Sequence, residues 1–379
     1  MTHRMPSGWR IASLAAIVGL LGSGMAGLAL VTVSSPAGPG GPSFGQRLSF
    51  GGGPLRLAPG PAAAGTSAGL RLLSEAAAAC QDTAYRGSQV LRWWGQDETS
   101  ASAVEVWHQP GRMTLVQAAG VRPEGPGAAA RSGAAGDQDP GGILGMSARL
   151  LALLQANYLV IYAGRGSADK RGALVVEIWR PDGGLAARFW LDAVTKLPLR
   201  RELFDSSGHL VSDDTFTSLE LGDPEPGGGP AAAARPAQLD QARLAALRAQ
   251  GWELPGELPG NLSLLMADQT QTPSGPVINL SYSDGLAAVS VFVQRGELAH
   301  VPPGWRPLTL RGRTVYSVNP EDRAFAWSAG GFVYTLMADA PLETVSAVVA
   351  ALPPGTSAPG FWRRMDRGLH RIFSWINPL

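Results

Sequence analysis

The chain has 379 residues, enough for two domains that each bury a core of their own. Its 31 Lys and Arg against 30 Asp and Glu leave it near neutral, which argues against nucleic-acid binding through a global basic field. With one cysteine, Cys80, the chain cannot form an internal disulfide or a cysteine-based zinc site.

His3, Arg4 and Arg10 precede Ile11–Val33, an apolar run of 23 residues without a charge. A helix of that length spans a bilayer core of about 30 Å, whereas the apolar part of a cleaved signal peptide is usually about 7–15 residues long. Residues 1–33 therefore read as a signal anchor and single transmembrane helix. The basic flank places the N-terminus in the cytoplasm and the remainder outside. Residues 34–65 are rich in Gly, Pro and Ser and lack hydrophobic periodicity, as expected of a flexible tether.

A first folded domain is predicted over residues 66–222. Leu70, Leu72, Leu73 and Ala76–Ala79 give a short amphipathic helix. Strands are expected at Tyr85–Trp94, Ala103–Gln109, Arg112–Gln117, Asn157–Tyr162, Leu174–Arg180, Ala187–Asp192, Leu199–Phe204 and Thr215–Leu221, with a helix ending at Leu150–Leu154. Pro181–Gly184 and Asp205–Gly208 carry turn chemistry, and Gly164-Arg165-Gly166 reads as a hairpin turn. Asp213-Asp214 reads as a solvated acidic pair beside a turn. Short strands with turns every 8–12 residues predict an antiparallel sheet, as a meander or half-barrel. The Ala/Gly-rich stretch 120–142 is given no structure.

Residues 223–237 form a second linker by composition. The second domain, 238–353, opens on a short helix through Leu239, Leu244 and Leu247. Strands follow at Leu262–Met266, Arg313–Val318, Ala324–Ser328 and Phe332–Met337, and a helix at Pro341–Ala351. Its centre is Val277–Val293. Ile278, Leu280 and Tyr282 alternate with Val277, Asn279 and Ser281, and Val289, Val291 and Val293 alternate with Ser290 and Phe292. Ser283-Asp284-Gly285 makes the turn between these strands, with Gly285 free to take φ > 0. Apolar groups on both faces of the second strand predict a central strand covered on both sides.

Two stretches carry a family resemblance. Tyr282-Ser283-Asp284-Gly285-Leu286-Ala287 with Val289–Val293 resembles the C-terminal domain of the MucB/RseB family. Arg188–Asp192, Thr195, Leu197, Leu199-Arg200, Glu202–Asp205 and Gly208, with Tyr85-x-Gly87 and the Asn157-Tyr158 strand, resemble its N-terminal domain. The resemblance covers about residues 66–353 in the family's order. The chain departs from the family at residues 120–142, in its long tether, and at Gly260-Asn261, where a glycine-aromatic pair is usual.

The resemblance implies an α+β, mostly antiparallel fold. A curved sheet or half-barrel like that of periplasmic lipoprotein carriers, with helices, is followed by a smaller sheet-plus-helix domain. It further implies a regulator that binds a membrane-spanning anti-sigma factor and responds to a lipid or lipoprotein. The partner-binding domain motif is Tyr282, Ser283, Asp284, Gly285, Leu286 and Phe292. The alternative is a lipid or lipoprotein carrier. Trp93, Trp94, Trp107, Trp179 and Trp190 are candidate lipid-cavity walls, or ordinary core and sheet-face aromatics; acyl chains gain about 0.8 kcal/mol per buried CH₂.

Residues 360–377 form a basic amphipathic helix outside the resemblance. Phe361, Trp362, Met365, Leu369, Ile372 and Phe373 fall on one face and Arg363, Arg364, Arg367 and Arg371 on the rest; with Trp375 they are candidate membrane contacts. No H-E-x-x-H spacing, G-x-S-x-G elbow or phosphate-loop context is present. The expectation is a non-enzyme without cofactor or metal, extracytoplasmic and held at the cell membrane.

Overall fold

A computed structural model describes residues 61–94, 99–110, 113–118, 147–222, 237–272, 275–298, 305–317 and 324–354. The candidate anchor at Ile11–Val33, the Ala/Gly-rich stretch and the basic tail, with its candidate contacts from Phe361 to Trp375, lie outside the described residues. Two large antiparallel sheets carry the chain, each covered by two helices.

The first sheet has eight strands in the order β3-β2-β1-β8-β7-β6-β5-β4. They are β1 Tyr85–Trp94, β2 Thr99–Gln109, β3 Met113–Ala118, β4 Leu159–Ala168, β5 Arg171–Trp179, β6 Leu185–Asp192, β7 Pro198–Phe204 and β8 Leu210–Leu221. Its edges, β3 and β4, do not pair with each other, so the sheet is open. Helices α1 (Pro61–Asp82) and α2 (Ala148–Asn157) lie on one face. Leu72, Leu73, Ala76, Leu151 and Leu154 from the helices close over Val160, Val176, Ile178, Phe189 and Leu203. Ser147 caps α2, its hydroxyl accepting from the Leu150 N–H at 3.2 Å.

The second sheet runs β10-β11-β12-β13-β17-β16-β15-β14, with β9 also on β11. Its main strands are β11 Leu262–Thr272, β12 Gly275–Ser283, β13 Ala288–Arg295, β16 Ala324–Ala329 and β17 Phe332–Asp339. The remainder are β9 Ala237–Gln238, β10 Glu257–Leu258, β14 Arg306–Leu310 and β15 Arg313–Ser317. Helices α3 (Gln241–Ala249) and α4 (Leu342–Ala351) cover one face. Leu244, Leu247, Val345 and Val348 pack there on Ile278, Leu280, Tyr282, Val289, Val291 and Val293. The alternation read in the central hairpin therefore holds, and β13 sits between β12 and β17 with both faces buried.

Three local expectations are corrected. Gly164-Arg165-Gly166 is not a turn; it continues β4 through an irregularity after Tyr162, with Gly164 at φ +114°. The hairpin turns at Asp169 and Lys170, both at positive φ (46° and 61°), the conformation whose twist matches paired strands. Asp213 and Asp214 lie inside β8, both buried, beside three arginines of the neighbouring strands, Arg92 on β1 and Arg200 and Arg201 on β7. Helix α1 also runs 22 residues, with Pro61 at its first position, where proline is tolerated, followed by alanines of high helix propensity.

Candidate functional site at the junction of the two sheets

The two stretches that carry the family resemblance meet in space. The β12–β13 turn folds on itself. The Ser283 hydroxyl donates to the Ala287 carbonyl at 2.7 Å and accepts from the Gly285 N–H at 2.9 Å. Asp284 Oδ1 accepts from the N–H groups of Leu286 (2.8 Å) and Ala287 (2.7 Å). This leaves Oδ2 facing the first sheet, where it accepts from the Tyr158 hydroxyl at 2.6 Å. Asn157 Nδ2 donates to the Asp284 carbonyl at 2.8 Å. Leu286 packs against the helix-covered core of the first sheet.

Gly285 makes the approach possible. Its φ is +99°, and a Cβ there would lie 2.2 Å from the Leu154 N and 2.5 Å from its Cα. Only glycine lets the turn rest on the backbone of α2. Burial raises the pKa of Asp284, opposed by hydrogen bonds from Tyr158 and the turn amides. Burial, reinforced by the Asp284 charge, pushes the Tyr158 hydroxyl well above its ordinary range, so it stays a donor at neutral pH.

Beside this contact lies a cleft of about 150 Å³ lined by Tyr158, Arg180, Phe204, Asp284, Leu286 and Glu343 among others. Arg180 is fixed there by donating to the carbonyls of Leu185 (2.7 Å), Phe204 (2.5 Å) and Asp205 (3.1 Å). Further contacts cross the junction. Glu343 Oε1 accepts from the Ser206 N–H at 2.8 Å. Arg149 on α2 donates to the carbonyls of Leu264 (2.9 Å) and Leu265 (2.6 Å) on β11. Arg201 on β7, 3 % exposed, pairs with Asp339 on β17 and lies 3.8 Å from Asp214. Burial opposes the Arg201 charge, but Asp339 and Asp214 outweigh it and raise its pKa.

The face of the second sheet turned from its helices meets the first sheet. Val277, Phe292 and Met337 share a cluster with Leu91, Trp93, Val104 and Phe216. This seam is polar for a buried surface. Ten buried side-chain atoms have no hydrogen-bond partner among the described residues, and all ten belong to its two facing surfaces. Gln89, Arg201 and Ser212 supply four; Asp268, Thr270, Asn279, Ser281, Ser290 and Gln294 supply six. Each such atom costs about 1–3 kcal/mol when dry, so the seam is a weaker contact than either helix-covered core.

The five tryptophans do not line one cavity. Trp93, 2 % exposed, points into the seam. Register pairing puts Trp94, Trp107, Trp179 and Trp190 on the opposite face of the first sheet. That face carries a ladder of charges across five strands. Glu177 pairs with Arg188 at 2.8 Å, Arg188 with Glu202 at 3.5 Å, Glu202 with Arg200 at 2.7 Å, Arg200 with Asp213 at 2.8 Å, and Asp213 with Arg92 at 3.5 Å. Trp190 sits under two of the guanidinium groups, with Arg200 4.9 Å and Arg188 5.7 Å from its ring. Burial raises the Glu202 pKa against the pull of Arg200 and Arg188. Trp179 donates its ring N–H to Glu177 at 3.2 Å.

Of the partner-motif residues, Asp284, Gly285, Leu286 and Phe292 reach the first sheet. Tyr282 belongs to the helix-covered core of the second, its hydroxyl donating to the Pro255 carbonyl at 2.7 Å, and Ser283 closes the turn. Tyr158, Arg180 and Arg201 were not singled out from sequence as site residues; Asn157-Tyr158 was legible only as part of the resemblance. Among the described residues no group of three His, Cys, Asp or Glu is placed to hold a metal, and no helix is long and apolar enough to cross a membrane.

Comparison with known proteins gives one family match, the MucB/RseB N-terminal domain, over residues 132–246. The sigma factor AlgU regulatory protein MucB of Pseudomonas aeruginosa is 29 % identical over 175 residues, 44 % of this chain and 51 % of that protein. The chain thus spans about half the length of the curated relative it matches. Among solved structures, MucB is 20 % identical over 76 % of this chain and 99 % of its own, with a TM-score of 0.43. The Pseudomonas aeruginosa MucA/MucB complex is 19 % identical over 76 % of this chain and 100 % of the solved one, with a TM-score of 0.42. A LolA superfamily protein of Nitrosomonas europaea is 13 % identical over 41 % of this chain and 94 % of its own, with a TM-score of 0.18.

Proposed function

We propose that the chain is a member of the MucB/RseB family, whose N-terminal domain model matches residues 132–246, and that it is an extracytoplasmic regulator that binds a membrane-spanning anti-sigma factor. Bound, it shields the outer segment of that factor from the first protease of a regulated cascade and so governs sigma-factor-dependent envelope stress transcription. The curated relative is named as a regulator of a sigma factor, which supports this class of activity. The observation that carries the reading is the junction itself. The stretches resembling the family's two domains touch through Tyr158 and Asp284, beside a cleft of about 150 Å³, room for about one side chain of a bound peptide. We read residues 66–222 and 238–353 as the two domains that meet there.

Residues 1–33 would hold the protein in the cell membrane, and the basic tail, through Phe361, Trp362, Arg363, Arg364, Arg367, Arg371 and Trp375, would rest on its outer surface. A lipid or lipoprotein acts on such a regulator only by binding its free and complexed forms unequally. The carrier alternative is weakened by the tryptophans: four of the five lie on the charged face of the first sheet and do not converge with Trp93 on one cavity.

The test is a protection assay. The outer segment of the cognate anti-sigma factor is exposed to its first protease with and without the full-length chain. Slowed cleavage, lost on adding Tyr158→Phe and Phe292→Asp together, is the expected result. Cleavage at one rate under all conditions would overturn the proposal.

A further inference from the structure

Asp268 and Asn279 form a cross-strand pair in the seam, in register between β11 and β12 and each 3 % exposed. Asn279 Nδ2 donates to Asp268 Oδ2 at 3.1 Å. The other two oxygens, Asp268 Oδ1 and Asn279 Oδ1, are both buried acceptors with no donor among the described residues. The pair therefore lacks one hydrogen. A carboxylic acid and a primary amide in this arrangement join through two hydrogen bonds, N–H to one carboxyl oxygen and O–H to the amide oxygen, when the acid carries its proton. A proton on Asp268 supplies the missing donor and removes the charge from a dry site.

We propose that the Asp268–Asn279 pair is a proton-binding element of the seam: the two sheets close with uptake of a proton at Asp268, and acidification tightens their contact. This goes beyond the regulator reading and does not depend on it.

Asp268 pairs laterally with Gln238 on β9, and its row continues through Asn279 to Phe292 on β13, none of which titrates in the relevant range. Across the seam the cluster on this face brings Cys80, Tyr85, Leu91 and Trp93. Of these Cys80 and Tyr85 titrate, and burial holds Tyr85 well above its ordinary value; His108, stacked on Tyr85 at 5.0 Å, is lowered by burial. The charged groups on the elements packed here are Arg149, which donates to the Leu264 and Leu265 carbonyls, and the Arg201–Asp214–Asp339 group, whose Asp214 is in register with Leu91. Burial raises Asp268 to about 6, against the opposing hydrogen bond from Asn279. A carboxyl raised in the closed form binds its proton more tightly there than in the open form. The closed form therefore gains as pH falls through about 6, and the gain is complete below the ordinary carboxyl value.

Hydrogen exchange of the full-length chain in mild detergent reads this directly. The protection of amides in Gly275–Ser283, corrected for intrinsic exchange, is expected to rise about tenfold between pH 7.5 and pH 5. Asp268→Asn, which supplies the missing N–H permanently, is expected to be protected at both pH values with less than twofold change. Asn279→Asp places two carboxylates side by side and is expected to make the dependence steeper than in the native chain. Equal pH dependence in the native chain and either variant would overturn the proposal, as would native protection that does not change.

Discussion

Replacing Gly285 by alanine tests the junction at its tightest point. The new Cβ would stand 2.2 Å from the Leu154 N and 2.8 Å from the Leu153 carbonyl carbon, all backbone that cannot rotate away. At φ +99° the alanine backbone itself is strained by about 1–3 kcal/mol. The turn must retreat from α2, and in doing so it gives up the Tyr158–Asp284 hydrogen bond, worth about 1.5–3 kcal/mol because one partner is charged. A loss of about 3–5 kcal/mol is expected, read from urea unfolding followed by tryptophan fluorescence. Once the turn has retreated, adding Tyr158→Phe should cost almost nothing more, so the two substitutions should be strongly non-additive. Stability within about 0.5 kcal/mol of the native chain, or simple additivity of the pair, would refute the contact.

Other consequences are open to measurement. Tyr158→Phe alone should cost about 1.5–3 kcal/mol and raise the Asp284 pKa further, since it removes a hydrogen bond that favours the carboxylate; carbon NMR titration of Asp284 gives the direction. Phe292→Asp should cost more than about 3 kcal/mol, because it deletes a seam aromatic and buries an unpaired charge; a soluble variant with unchanged stability and partner affinity would contradict its place in the seam. Asp213→Ala breaks the ladder between Arg200 and Arg92, whose side chains are about one-third exposed or more, so about 1 kcal/mol is expected and less in high salt; a loss independent of salt would argue against the ladder. Deleting residues 360–379 from a chain lacking residues 1–33 should weaken co-sedimentation with anionic liposomes. Unchanged binding would remove the tail from the membrane.

What was legible in the sequence was whatever repeats along one strand. Ile278, Leu280 and Tyr282 alternate because one face of β12 meets helices, and that pattern gave the central hairpin and its burial. The turns at Gly183 and Gly208 were legible because positive φ selects glycine there. The turn at Asp169-Lys170 was not, since two charged residues adopt positive φ against their usual preference, and the glycines of Gly164-Arg165-Gly166 drew the turn to the wrong place. Asp213 and Asp214 read as solvated because their arginine partners sit on other strands, Arg200 and Arg201 on β7 and Arg92 on the distant β1, and only the sheet pairing brings them together. What covers the second face of the hairpin was hidden for the same reason: burial of the second strand on both sides was legible, but not that the first sheet lies over Asn279, Ser281 and Ser290. Tryptophan content alone could not say which face of a strand each ring takes, and alternation separates the neighbours Trp93 and Trp94 completely.

Affinity capture of the full-length chain from its native membranes in mild detergent, with mass spectrometry of the proteins and lipids that accompany it, bears most directly on the regulator reading. A single-pass membrane protein with a cytoplasmic sigma-binding domain, recovered in near-stoichiometric amount and depleted when Phe292→Asp is the bait, is the result this account predicts. Stoichiometric lipid or lipoprotein with no such protein would contradict it and leave a carrier in its place.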